Sequence, residues 1–170
     1  MTISLSQFNQ LSPQAAKDHL LSCCTSERWA QAVIEQRPFD SIDALVAASD
    51  EVWATMGESD FLQAFEGHPQ IGNVETLKEK YRHTLGSASH EQSAVNSADD
   101  ATLHALAKGN QDYLDKFGFI FIVFATGKSA QQMLDLLLAR LPNSRDEELA
   151  NAAAEQNKIT QLRLSKLITE

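Results

Sequence analysis

The sequence predicts an all-α fold: a single-domain, multi-helix bundle with one buried extended apolar segment. Three observations predict it. Apolar residues recur at three- and four-residue spacing along most of the chain. Ser, Asp and Asn caps and Pro or Gly stops punctuate those stretches. One run alone, residues 117–125, is continuously apolar and rich in aromatic and β-branched residues. At 170 residues the chain can bury one substantial core without disulfides or metals, so residues 1–170 are expected to form one domain.

The elements follow in order. Ser12-Pro13 is an N-cap followed by proline in the first turn, and Ala16, Leu20 and Cys23/Cys24 continue at helical spacing, which puts the helix end near Cys24. Thr25 or Ser26 can cap the next helix, with Trp29, Ala32, Val33 and Gln36 on one side up to the Arg37-Pro38 break. Asp40 or Ser41 restarts the pattern. Ile42, Leu45, Val46, Val52, Trp53 and Met56 then form an apolar face ending at Gly57, read as a C-terminal cap. A short helix from Asp60 to Glu66 delivers the chain to His68.

Asn73 can cap a helix through Thr84 that carries Val74, Leu77 and Tyr81. Small polar residues from Gly86 to Ser89 predict a loop, with a short helix around Glu91-Gln92. Leu103, Leu106 and Tyr113 mark a helix from Asp99 or Asp100 to about Lys116, weakened at Gly109 and stopped at Gly118. Residues 117–125 should cross the core in extended form, and their backbone N–H and C=O groups then need partners, some of which a polar ligand could supply. Lys128 or Ser129 opens a helix through Met133, Leu134, Leu137 and Leu138, stopped before Pro142. Ser144-Arg145-Asp146-Glu147 is a capping box opening a long last helix with Ile159, Leu162, Leu164 and Leu167 on its apolar face.

Composition narrows the function. Lys+Arg 14 against Asp+Glu 23 gives a formal charge of -9, which argues against a nucleic-acid or anionic-lipid surface. The adjacent Cys23 and Cys24 give no disulfide framework and read as reduced residues inside a helix, which fits a cytoplasmic location. The stretch from Met1 to Gln10 lacks the features of a signal peptide, and no run approaches the ~20 apolar residues of a membrane span. Ser165-Lys166-Leu167 is followed by three more residues, so it is not expected to act as a peroxisomal address.

Several chemical motifs fail on inspection. Thr126-Gly127-Lys128-Ser129 has Ile122 where a phosphate loop needs glycine, and His90-Glu91 has Ala94 where a zinc-protease helix needs histidine. His19, His83 and His104 read as solvated or capping residues, and no histidine pair has metal-ligand spacing, so no metal is expected. No Gly-x-Ser-x-Gly elbow is present. What remains is Gly67-His68-Pro69-Gln70-Ile71-Gly72, where chain breakers fix a histidine able to move a proton near neutral pH. The same spacing also fits a plain helix-to-helix turn whose histidine is a cap. Glu91 could orient or assist the ring, and Arg163 could grip a carboxylate by a two-pronged hydrogen bond. Ordinary solvated helix charges would look the same.

At these residues the sequence resembles the 2-oxo-4-hydroxy-4-carboxy-5-ureidoimidazoline (OHCU) decarboxylase family of purine breakdown. The features that carry the resemblance are Trp29 with Arg37-Pro38-Phe39, His68-Pro69-x-Ile71-Gly72, Glu91-Gln92, Phe117-Gly118-Phe119-x-Phe121 and Leu162-Arg163-Leu164. The resemblance implies an all-helical enzyme without a cofactor that acts on a small ureidoimidazoline and forms (S)-allantoin and carbon dioxide. It implies His68 as acid/base with Glu91 as its partner, and Gln92 and Arg163 as substrate-binding residues. Pro69 and the backbone of Phe121, Ile122, Val123, Phe124 and Ala125 would complete the pocket. The family often has a serine three residues before the glutamate; here Ala88 holds that place, and Ser87 and Ser89 flank it. A homodimer is also suggested by the resemblance. The rival readings are a helical protein-interaction module without catalysis and a relative that handles another ureide.

Overall fold

A computed structural model describes residues 2–69, 74, 75, 77 and 92–170, with side chains from residue 100 onward in the last stretch. The helix predicted after Asn73 is described only at Val74, Glu75 and Leu77, which are helical. The loop after Gly86, with Ser87 and Ser89, and Glu91 lie outside the described residues. The chain divides into two compact units, Met1–His68 with Leu149–Glu170, and Pro69–Glu148.

The first unit opens with β1 (Ile3–Ser4) and the helices α1 (Leu5–Gln10), α2 (Pro13–Leu21), α3 (Glu27–Ile34), α4 (Ile42–Ala54) and α5 (Glu58–Glu66). Ser12, Ser26 and Ser41 cap α2, α3 and α4, each side chain accepting a backbone N–H three residues on, as their sequence positions predict. Phe8, Leu20, Trp29, Val33, Leu45 and Leu164 are fully buried in one apolar cluster. Removing such a side chain from water contributes about 1.5–3 kcal/mol. The two indoles bring polar N–H groups with them, and both are satisfied: Trp29 donates to Ser49 Oγ at 3.1 Å and Trp53 to the Ala153 carbonyl at 2.9 Å.

Two expectations for this unit are corrected. Cys23 and Cys24 are not helical: α2 ends at Leu21, where the Ser22 hydroxyl turns back onto the His19 carbonyl at 2.6 Å, and both cysteines lie buried in the turn that follows. Gly57 does not close α4. Thr55 does so, and Gly57 is the N-cap of α5, with Asp60 reaching back to its N–H at 3.1 Å. The acidic side chain in the first turn suits that end of the helix dipole, although Asp60 itself is buried.

The second unit carries α6 (Gln92–Phe117) and α7 (Ala130–Arg140), and α8 (Arg145–Leu167) begins in it and continues into the first. α6 starts at Gln92, well before the expected Asp99 or Asp100. Gly109, expected to weaken it, has a packing reason: a Cβ there would collide with the Leu137 side chain, so the glycine lets α6 and α7 approach. α6 stops at Gly118, whose φ of +83° is the left-handed conformation glycine adopts without strain, and its N–H reaches the Leu114 carbonyl at 2.8 Å. Residues 119–125 then run without helix or ladder partner, as predicted. Ser129 and Ser144 open α7 and α8 with capping boxes to Gln132 and Glu147. The chain ends in β2 (Ile168–Thr169), which pairs in parallel with β1 in the first unit, Ile3 opposite Ile168. Two residues on each side are too few to show as strands in a sequence.

Candidate active site

In the first unit the site is built at the end of α5. Thr25 donates its hydroxyl to the Gln63 carbonyl at 2.8 Å, within reach also of the Ala64 carbonyl, and so ties down the last turn of α5. A Cβ on Gly67 would run into that same threonine. Gly67 has ordinary helical φ, so it is the close approach and not backbone freedom that calls for glycine here. The chain leaves α5 with the His68 N–H on the Phe65 carbonyl at 3.1 Å.

His68 is half-buried, and its Nε2 lies 2.5 Å from Oε1 of Gln156 on α8. Gln156 is fully buried. Its amide nitrogen donates to Thr160 Oγ1 at 3.0 Å, and that hydroxyl donates to the Gln156 carbonyl at 3.0 Å. About two turns beyond Gln156 on the same helix is Arg163, half-buried, whose guanidinium donates to the Cys23 carbonyl at 3.2 Å. The non-helical turn at Cys23 is what exposes that carbonyl to it. Burial pushes the Cys23 thiol up to about 11, and burial likewise raises Cys24, so both are protonated at neutral pH and poor nucleophiles.

The second unit contains the extended segment, whose carbonyls find partners. Arg140 donates to the Ile122 carbonyl at 2.8 Å, the Lys128 ammonium to that of Phe124 at 2.7 Å, and the Lys128 N–H to that of Ala125 at 3.0 Å. Phe121 and Ile122 are buried; Val123, Phe124 and Ala125 are half-buried. Tyr113 packs on Phe117, Phe119 and Phe121, with ring centroids 4.5, 5.9 and 5.2 Å away. Arg140 is itself fixed by the fully buried Glu148 at 2.7 Å, which also accepts from the Tyr113 hydroxyl at 2.5 Å and from Asn143 at 2.8 Å. Burial, reinforced by the bond to Glu148, pushes the tyrosine hydroxyl further into its neutral form.

Of the residues singled out in the sequence, His68 and Arg163 are in the first unit, and Pro69, Gln92, Phe121, Ile122, Val123, Phe124 and Ala125 are in the second. Pro69 is exposed, and Gln92 is the first residue of α6. Glu91, Ser87 and Ser89 are outside the described residues. Among the described residues no three His, Cys, Asp or Glu side chains gather in a way that would hold a metal ion, and no helix is long and apolar enough to cross a membrane. The sequence reading missed Gln156, Thr160, Arg140 and Glu148. Their signal was present but quiet: Glu148, Ala152, Gln156, Thr160 and Leu164 recur every four residues, all buried, so the polar members share the stripe of the apolar ones.

The comparisons with known proteins agree in direction. The family model described as OHCU decarboxylase matches residues 9–165. The chain is 35% identical over 92% of its length to 48% of the uric acid degradation bifunctional protein TTL of Arabidopsis thaliana. It is 26% identical to a 2-oxo-4-hydroxy-4-carboxy-5-ureidoimidazoline decarboxylase of Halalkalicoccus jeotgali, with 97% of this chain and 92% of the other covered. Among solved structures, the crystal structure of OHCU decarboxylase in the presence of (S)-allantoin is similar with a TM-score of 0.69 and 33% identity, covering 88% of this chain and 96% of that one. Against the bifunctional relatives the chain spans only a third to a half of their length.

Proposed function

The chain belongs to the OHCU decarboxylase family, and from that premise we propose that it decarboxylates 2-oxo-4-hydroxy-4-carboxy-5-ureidoimidazoline to (S)-allantoin in urate breakdown. The carbon–carbon bond to the carboxylate breaks, carbon dioxide leaves, and the electron pair flows through the ring towards the adjacent C=N, whose nitrogen takes a proton. The resulting enol loses its hydroxyl proton as the ureido-bearing carbon gains one, which creates the stereocentre. The substrate's own C=N is the electron sink. In this reading His68 and Glu91 handle the hydroxyl proton and the reprotonation, while Gln92 and Arg163 hold the ureido and carboxylate groups. Pro69, Ser87 or Ser89, and the backbone of Phe121, Ile122, Val123, Phe124 and Ala125 complete the pocket.

What carries the reading is that the family match runs from residue 9 to residue 165 and so includes every residue given a role. The anchoring of His68 by Gln156 and of Arg163 by Cys23 supports it, because each bond holds a side chain with proton chemistry or charge at a defined place. The reading also treats residues 1–170 as one domain, in the cytoplasm, associating as a homodimer; light scattering on the purified protein checks the last point, with a mass near 19 kDa against it.

The test is to generate the unstable substrate from urate in the cuvette, add the protein, and follow circular dichroism. One allantoin enantiomer should appear faster than the spontaneous reaction. A racemic product at the spontaneous rate, from folded protein, would sink the proposal. His68→Ala should cost about 10²–10⁴ in kcat if the ring is an acid/base group.

A further inference from the structure

A buried glutamine on a helix needs a reason, because its amide is costly to remove from water unless it is bonded on both sides. Gln156 is fully buried in the middle of α8, away from either helix end. Its two side-chain partners are Thr160 and His68, the second 88 residues away in the chain. The direction of each bond follows from counting protons. The Thr160 hydroxyl has one hydrogen and gives it to the Gln156 backbone carbonyl one turn earlier. Towards the Gln156 side chain it can then act only as an acceptor, so it takes the amide N–H₂. That leaves the amide oxygen facing His68, and an amide oxygen can only accept. The His68 Nε2 therefore carries a hydrogen, and in the neutral ring the basic lone pair is on Nδ1.

We propose that Gln156, oriented by Thr160, is a positioning residue that fixes His68 in the Nε2–H form and so makes Nδ1 the proton-accepting nitrogen in the decarboxylation. The proposal rests on the decarboxylase reading for its kinetic consequence but not for its structural one. Without Gln156 the ring loses the acceptor that favours its Nε2–H form, and a smaller part of the population would present the right nitrogen.

The experiment combines ring-nitrogen NMR on ¹⁵N-histidine-labelled protein with turnover kinetics, in wild type, Gln156→Met, Thr160→Val and Thr160→Ser. Wild type should show His68 as the Nε2–H form alone. Gln156→Met, close in volume but with no oxygen, should show both neutral forms, with kcat reduced about 10- to 100-fold and KM little changed. Thr160→Val should shift the spectrum in the same direction by a smaller amount. Thr160→Ser, which keeps the hydroxyl, should restore the wild-type spectrum. Should Gln156→Met fail to fold, the Thr160 pair carries the comparison.

A His68 spectrum unchanged by Gln156→Met and by Thr160→Val would overturn the proposal, as would mixed ring forms in the wild type. A shifted spectrum with unchanged kcat in an active wild type would overturn the catalytic half. If the wild type itself gave no turnover, the decarboxylase reading would fall, while the spectra would still decide whether Gln156 sets the form of the ring.

Discussion

α8 carries two buried polar clusters eight residues apart, and they are built on opposite plans. At Glu148, in the second unit, a carboxylate meets a guanidinium, a phenol and a carboxamide, and Arg140 lies over the Tyr113 and Phe121 rings at 5.8 and 4.6 Å. At Gln156, in the first unit, a neutral amide has one hydroxyl behind it and one imidazole in front. The first cluster is tightly cross-bonded. Its members bond one another and the Ile122 carbonyl, which suits a strut that holds irregular backbone in place. The second is a short directed chain that leads from Thr160 through Gln156 to an imidazole. Buried charge braces the backbone in one cluster, and a buried neutral amide meets an imidazole in the other.

The largest effect should come from breaking the strut. Glu148→Ala leaves the Arg140 side chain, only 12% exposed, without its carboxylate. Stranding a buried charge in this way typically costs about 3–5 kcal/mol, to be read from the urea midpoint. A loss of less than about 1 kcal/mol would mean that the cluster is solvated in solution and would erase the contrast with Gln156.

An intermediate and gradual effect is expected in alkali. Cys23 ionises near 9 when unfolded and near 11 in the folded chain, because burial disfavours the thiolate. Between those values the unfolded state binds fewer protons, so its stability contribution is complete below pH 9 and is lost as pH rises towards 11. Cys23→Ala should flatten that part of the stability profile, and an unchanged slope would place the alkaline sensitivity elsewhere. The smallest effect belongs to an exposed pair. Lys108 bonds Asp112 at 2.7 Å with the two side chains 78% and 46% exposed, so Lys108→Ala should cost no more than about 1 kcal/mol in a urea titration. A cost as large as that of Glu148→Ala would show that burial is not what separates the clusters.

Much of the fold was legible because it is written in local rules. Ser12, Ser26, Ser41, Ser129 and Ser144 cap helices where their spacing says they should, and the apolar density of residues 117–125 marked the non-helical stretch 119–125, although Phe117 itself closes α6. The errors fell where a neighbour outside the local window decides. Cys23 and Cys24 continue a helical period, yet the Ser22 turn ends the helix before them. Gly57 is a good stop by its chemistry and a start by its side-chain partner three residues on. The candidate site was legible only as residue types with proton chemistry or charge, His68 and Arg163 above all. Gln156 and Glu148 do not stand out in the sequence, since what distinguishes them is burial and partners that include His68, 88 residues away, and Tyr113, 35 residues away.

The pairing of Ile3 with Ile168 has a temporal side. The first unit is assembled from both ends of the chain, and residues 69–148 form the interior stretch. On a ribosome, α1 to α5 emerge long before α8, so Trp53 waits for Ala153 and His68 waits for Gln156. Residues 69–148 can make their own contacts meanwhile, because domains and compact units form as soon as their segments are available. A chain arrested at residue 148 should therefore leave residues 1–68 open to protease, and resistance there would show that the early helices close without their last partner. The helices made first would be the last to be finished.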